Sequence, residues 1–407
     1  MRLFCRAIGL LVVLSSALAG RAAADVLPSQ PITLLDGRLV IGGEGSVSVS
    51  PSDPGYFNFT DYNHNALRLV RLGVTAALSA GRHVTVLTEI RTENWDALRP
   101  YALYVRVRPW TRHAFDIQAG RIPPVFGAFS RRPYDADNPL VGTPLAYQYL
   151  TSLRADALPA SADDLLRMRG RGWYASYPIG SSDGGHGLPL VTAFRWDTGI
   201  EVSVGDRMQP VSLSVAVTNG TLSNPLVGDD NAGKQLSGRV EWRPVPGLIV
   251  GASGARGPFV ARAASNALPA GVPRDGLTQT AFGVDAEYSS GYWLVRGEAI
   301  VSRWRVPPVS APFITSPLQA VSAFVEGRYT ILPGVYLAGR VDHLGFSTIT
   351  GSAGPETWDA PVTRFEVGGG YSLQRNVLLK LAFQHDSRDT VRVPTASLAV
   401  AQLSFWF

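Results

Sequence analysis

Lysine is nearly missing from this chain. Lys234 and Lys380 are the only two, so almost all of the positive charge is arginine. Cysteine occurs once, as Cys5, inside what reads as an export signal. The exported chain is therefore expected to carry no disulfide and no thiol chemistry. No zinc-ligand spacing and no phosphate-cradling glycine motif occurs, so neither a metal nor a cofactor is expected. Past the N-terminus no apolar run reaches about eighteen residues, which excludes a helical membrane span. An exported chain without such a span is either soluble or a barrel.

The export signal rests on three features. Arg2 and Arg6 give a positive start, residues 7–20 are apolar, and Ala22-Ala23-Ala24 precede Asp25. Cleavage is expected after Ala24, with Ala17-Leu18-Ala19 a second choice. That divides the chain into a signal peptide, 1–24, and a single barrel, 25–407. Cleavage removes Arg2, Arg6 and Arg21 and no acid, so the formal charge falls from +5 by three to +2. The basic balance is thus no argument for nucleic acid.

The remainder of the chain reads as strand after strand with a period of two. Over 98–109, Tyr101, Leu103, Val105 and Val107 share one face, and Ala102, Tyr104, Arg106 and Arg108 the other. Over 83–93, Val84, Val86 and Ile90 stand against Glu89, Arg91 and Glu93. Over 335–342, Val335, Leu337 and Val341 stand against Tyr336, Arg340 and Asp342. Sixteen strands are expected: 37–49, 66–79, 82–93, 98–109, 112–121, 193–205, 209–219, 235–244, 246–256, 279–289, 292–303, 318–330, 334–344, 362–373, 375–386 and 395–407. The run 246–256 alternates poorly. Tight turns such as Ala80-Gly81 and Leu332-Pro333-Gly334 alternate with longer links. Short turns at one end and long loops at the other form the pattern of an antiparallel up-and-down transmembrane β-barrel, an all-β fold. Charges decide which face meets lipid, because nearly every strand keeps Arg, Asp or Glu on its polar face. An arginine at the bilayer midplane costs roughly 2–4 kcal/mol.

The last strand, TASLAVAQLSFWF, places Ala399, Ala401, Leu403, Phe405 and the terminal Phe407 on one face, with Gln402 and Ser404 between them. It resembles the C-terminal signature of Gram-negative outer-membrane proteins, and the chain as a whole resembles the general and substrate-selective porins. The resemblance implies recognition of Phe405 and Phe407 by the barrel-assembly machinery. It also implies outer-membrane lipid around the wall, passive diffusion of small hydrophilic solutes or ions, and assembly as a homotrimer. Aromatics near strand ends (Tyr101, Trp110, Tyr288, Tyr292, Trp293, Trp304, Tyr329, Tyr336, Tyr371, Phe405 and Trp406) are expected to form interfacial girdles.

One link is out of scale. Residues 122–192 form the third long loop, and in porins the third loop folds into the lumen and narrows it. Within it Ser161 can cap a short helix, with Asp163 and Asp164 in the first turn, Arg167 and Arg169 in the last, and Gly170 ending it. Arg131, Arg132, Arg154, Arg167, Arg169 and Arg171 are expected to face lumen acids or passing anions. The pore-lining and constriction candidates are Glu89, Arg91, Glu93, Arg106, Arg108, Arg131, Arg132, Arg340 and Arg364. Charge rows of this kind set ion selectivity or a transverse field.

Other chemistry is weak. His385-Asp386-Ser387 gathers catalytic residue types, but strand neighbours point to opposite faces, so no enzyme is expected. Asp135, Asp137 and Asn138 could offer oxygen ligands to calcium, though without a full loop pattern they read as a turn. Two alternatives to a diffusion porin stand: a barrel scaffold in a larger envelope complex for export or electron conduction, and an outer-membrane enzyme or gated transporter.

Overall fold

A computed structural model describes residues 28–60, 67–132, 134–193, 195–230, 233–265, 267–388 and 395–407, together with the backbone but not the side chain of Arg131. The expected signal peptide lies outside the described residues. Among them, sixteen antiparallel strands close into one up-and-down barrel. In chain order they are β1 Leu39–Val49, β2 Val70–Ser79, β3 Val84–Glu93, β4 Arg99–Val107, β5 Phe115–Ile122, β6 Asp197–Val204, β7 Val211–Thr218, β8 Gln235–Trp242, β9 Leu248–Pro258, β10 Thr278–Ser290, β11 Trp293–Trp304, β12 Leu318–Leu332, β13 Val335–Phe346, β14 Val362–Gln374, β15 Val377–Arg388 and β16 Ala396–Trp406. Each corresponds to one of the sixteen expected strands.

Every strand pairs with its sequence neighbour, and β16 closes on β1 through Val47 opposite Leu403 and Gly45 opposite Phe405. Closure leaves no open edge, the condition for a sheet in hydrocarbon. The last residue completes the seam: the Gly43 N–H donates to Phe407 O at 3.1 Å and the Phe407 N–H to Gly43 O at 3.0 Å.

The period-two pattern becomes two surfaces. Outward positions carry Val74, Ile200, Val215, Phe282, Val325, Phe365 and Leu381, all exposed. Among the described residues no Asp or Glu stands at an outward position of a barrel strand. Around the short-turn end Trp110, Trp242, Tyr288, Trp293, Tyr329 and Tyr371 point outward and form one girdle. Four of the expected girdle residues do not join it. Tyr101, Trp304, Tyr336 and Trp406 stand at inward positions.

Tyr101 turns inward because of a β-bulge. Glu89 pairs with Ala102 while Ile90 pairs with Pro100, so β4 carries one extra residue, and that residue is Tyr101. The bulge moves the ring off the face it would share with Leu103 and buries it beside Trp196, centroids 4.9 Å apart. The weak alternation of β9 also has a cause. Its inward residues Gly251, Ser253, Ala255 and Gly257 are small because bulk would collide there. A Cβ on Gly251 would lie 2.5–2.6 Å from the Arg239 and Asp285 side chains.

Candidate functional site

The interior of the barrel is the candidate site, and the link between β5 and β6, residues 123–196, occupies much of it. Its hydrogen bonds to inward-facing side chains run round the wall. Gly127 N–H donates to Ser253 Oγ on β9 at 3.0 Å, and Ala128 N–H to Glu298 Oε1 on β11 at 2.9 Å. Tyr147 O–H meets Glu298 Oε2 at 2.8 Å. Gly142 N–H donates to Glu366 on β14 at 2.8 Å, and Leu145 N–H to Asp342 on β13 at 2.5 Å. The wall donates in return. Arg340 reaches Gly142 O at 2.5 Å, Arg364 reaches Thr143 O at 2.8 Å, and Lys380 reaches Asp135 O at 2.5 Å. On the far side Tyr134 O–H meets Glu89 at 2.8 Å, and Arg71 pairs with Asp135 at 3.5 Å.

Two local features set the path of this segment. Gly127 sits at φ +67°, a left-handed turn where a Cβ would lie 2.2 Å from the Tyr147 hydroxyl. The expected short helix is Ala162–Arg167, capped by a reciprocal Ser161–Asp164 box, and Gly170 lies beyond it at φ +71°. Asp359, on the β13–β14 link, accepts from Ser152 N–H at 2.6 Å and Gly170 N–H at 2.7 Å. Burial pushes the Asp359 carboxyl above its ordinary range, and these amides pull it partly back. Above the polar layer, Phe126, Leu153, Leu165, Leu190 and Val191 pack on inward Trp304, Leu318, Leu344 and Val362 as an apolar core inside the long-link end.

The inner wall is charged and mostly self-neutralised. Arg340 bridges Glu366 at 2.5 Å and Glu326 at 3.2 Å, and Arg364 meets Asp386 at 2.6 Å. Arg239 holds Asp285 through two bonds of 2.6 and 2.9 Å. Arg71 pairs with Glu93 at 3.0 Å, and Arg91 with Glu89 while lying 3.7 Å from the Tyr101 ring centroid. Sealing is uneven. Inward residues of β13–β15, from Arg340 and Asp342 through Arg364, Glu366, Lys380 and Asp386, are buried. Across β4–β8, Arg106, Gln118, Ser203, Ser214 and Glu241 remain partly exposed. At the long-link end a cavity of about 400 Å³ opens among Phe59, Arg99, Gln148, His186 and Arg195.

Solved structures share this architecture. The outer-membrane expressed OmpT of Vibrio cholerae superposes with a TM-score of 0.54 at 11% identity, covering 92% of this chain and 100% of that one. An in-vitro folded, trimeric form of the same protein gives 0.51 at 11%, covering 91% and 99%. Salmonella typhi OmpF, in a complex with daunomycin, gives 0.51 at 12%, covering 91% and 97%. The fold is that of the outer-membrane porins. No protein-family model matches the sequence, and no curated relative is found.

Within the porin fold the expected site residues divide into groups. Glu89, Arg91, Glu93, Arg340 and Arg364 are inward but buried in ion pairs. Arg106 and Arg108 line the open part; Arg108 grips Asp116 through two 2.8 Å bonds, whereas Arg106 makes no ion pair among the described residues. Arg132 meets the wall acid Glu287 at 2.6 Å. Three other arginines of the long segment have ion-pair partners in the links. Arg154 pairs with Asp156, Arg167 with Asp164, and Arg169 with Glu356 on another long link. Phe405 and Phe407 stack 5.8 Å apart at the seam.

Sequence alone did not point to the first long link. There Asp53 and Asn58 bond to each other at 3.0 Å, and Asn58 reaches Gln384 on β15 at 2.9 Å. Nor did it single out Arg388, which donates to Gly170 O and Gly55 O and lies over the Phe57 ring. Strand parity on β15 could have found Arg388; nothing in the sequence of 50–60 announces an inward path. His385 and Ser387 face outward while Asp386 points in, so these three do not converge. Asp135–Asp137 is a 3-10 turn, and no metal-holding cluster occurs among the described residues.

Proposed function

We propose that this protein is a porin that lets small hydrophilic solutes or ions diffuse passively across the outer membrane. The supporting observation is the unevenness of the lumen. The long segment is bonded to the inner wall of β13–β15, and the inner face of β4–β8 stays partly open. Residues 122–192 are the constriction, and the passage follows the β4–β8 wall. There Arg106 makes no ion pair among the described residues, and its charge favours anions. The paired Glu89, Arg91, Glu93, Arg340 and Arg364 brace the walls, and Arg131 and Arg132 belong to the edge of the constriction. The chain reaches the membrane after cleavage behind Ala24, is inserted through recognition of Phe405 and Phe407, and works as a homotrimer.

Single-channel conductance of the refolded protein in a planar bilayer, with the reversal potential under a salt gradient, tests this reading. Stable openings with anion preference are expected. A heat-modifiable barrel that inserts and stays silent would overturn it and favour a scaffold whose lumen holds a partner.

A further inference from the structure

The outer wall carries a group of arginines that no acid among the described residues neutralises. On β9, outward positions run Val250, Ala252, Gly254 and then Arg256; on β11 they run Trp293, Val295, Gly297, Ala299, Val301 and then Arg303. Arg256 stands opposite Thr280, and Thr280 opposite Arg303, so both lie in one cross-strand row. At about 4.8 Å per strand the two backbones are about 10 Å apart. Arg305, whose N–H continues the ladder to Thr278 O, lies one row higher. All three side chains are exposed. Arg303 donates to Gln319 at 2.7 Å, while Arg256 and Arg305 have no acid or acceptor among the described residues.

Height on the barrel identifies what they meet. From the girdle residue Trp293 to Arg303 is ten residues, about 33 Å along the strand. A tilt of roughly 40° reduces that to about 25 Å, the height of the apolar band of such barrels. The arginines therefore stand where the hydrocarbon ends and headgroups begin, on the long-link side. Beneath them Phe282, Val284 and Val240 form an exposed apolar shelf. Guanidinium groups match phosphate oxygens with paired N–H bonds, and the shelf matches an acyl chain.

We infer that Arg256, Arg303 and Arg305 form a binding site for the phosphate-bearing headgroup of a lipid in the leaflet on the long-loop side. Strands about 10 Å apart allow two long arginine side chains to converge on one headgroup. The site is independent of whether the lumen conducts.

The test uses the full refolded chain in detergent, with diphosphorylated lipid A as probe and native mass spectrometry counting the bound lipid. The triple variant R256A/R303A/R305A is expected to retain about tenfold less lipid than the parent. The triple lysine variant keeps an intermediate amount, and R112A at the opposite rim matches the parent. Heat-modifiable mobility reports folding, and should the triple alanine variant not fold, R256A and R303A singly are each expected to lower retention. Equal retention by the alanine variants overturns the assignment, as does equal retention of the dephosphorylated lipid, which would leave only the apolar shelf. Complete displacement of the lipid by inorganic phosphate makes this a free-phosphate site and also overturns it.

Discussion

Replacing Arg340 with methionine removes a guanidinium that joins three parts of the molecule. It bridges Glu366 on β14 at 2.5 Å and Glu326 on β12 at 3.2 Å, and it donates to Gly142 O of the crossing segment at 2.5 Å. Methionine fills much of the same volume, so the loss is mainly electrostatic. Glu366 is left fully buried with one remaining bond, from Gly142 N–H. Removing one member of a buried pair costs about 3–5 kcal/mol, because the other charge stays behind without compensation. The carbonyl of Gly142 loses its donor as well, so the segment near Gly142 loosens. The assay is the denaturant midpoint of the refolded barrel in micelles, read beside single-channel noise. A lower midpoint and new conductance substates are expected. The double variant R340M/E366L recovers most of the stability, since apolar replacement of both partners is close to neutral. This role for Arg340 is refuted if R340M costs under about 1 kcal/mol, or if the double variant is as unstable as the single.

Gly142→Ala places a Cβ 2.5 Å from Glu366 Oε2 and displaces the segment; a destabilisation of about 1–3 kcal/mol is expected from the same denaturant curves. Arg106→Glu reverses an open-wall charge that no acid pairs with among the described residues, and its reversal potential under a salt gradient is expected to move toward cations while the denaturant midpoint stays put. Burial raises the Asp135 carboxyl, but Arg71 and then Lys380 outweigh burial and hold it below its ordinary range. Its contribution is therefore complete above the unfolded value, about pH 4, and fades as pH falls through the lower folded value. Stability curves against pH should lose this acid-side slope in Asp135→Asn.

The wall was legible in the sequence because one physical requirement writes it. A strand between lipid and water must alternate, and charges such as Glu89, Arg340 and Arg364 can stand on only one face. The strands follow from that rule, with β9 the weakest case because its inward residues are small. It failed at Tyr101, where a bulge adds a residue and shifts the parity, since a bulge leaves the composition of a strand unchanged. It said little about the lumen. The path of 123–196 is set by backbone amides meeting Glu298, Asp342 and Glu366. Any residue except proline supplies such an amide, so these contacts carry no residue signature. The arginines that looked most functional in the segment mostly serve it internally, as Arg154 does with Asp156.

The same contacts bear on how selectivity could evolve in this fold. Along β13–β15 the acids Asp342 and Glu366 accept backbone amides from the segment, and Arg340 and Arg364 donate to its carbonyls. Changing any one of these residues leaves a buried group without its partner, at a cost of about 1–3 kcal/mol or more. At the β4–β8 positions Arg106, Ser203 and Ser214 the inward side chains are short or partly solvated, and substitution there strips no partner from a buried group, unlike Arg239 on β8, which holds buried Asp285. Selectivity can therefore change on the open wall at little cost in stability, while the sealed wall stays fixed. Comparison of single substitutions checks this: reversal potential should respond to Arg106, Ser203 and Ser214 and denaturant midpoint to the buried residues of β13–β15, and a set that moved both equally would contradict the division.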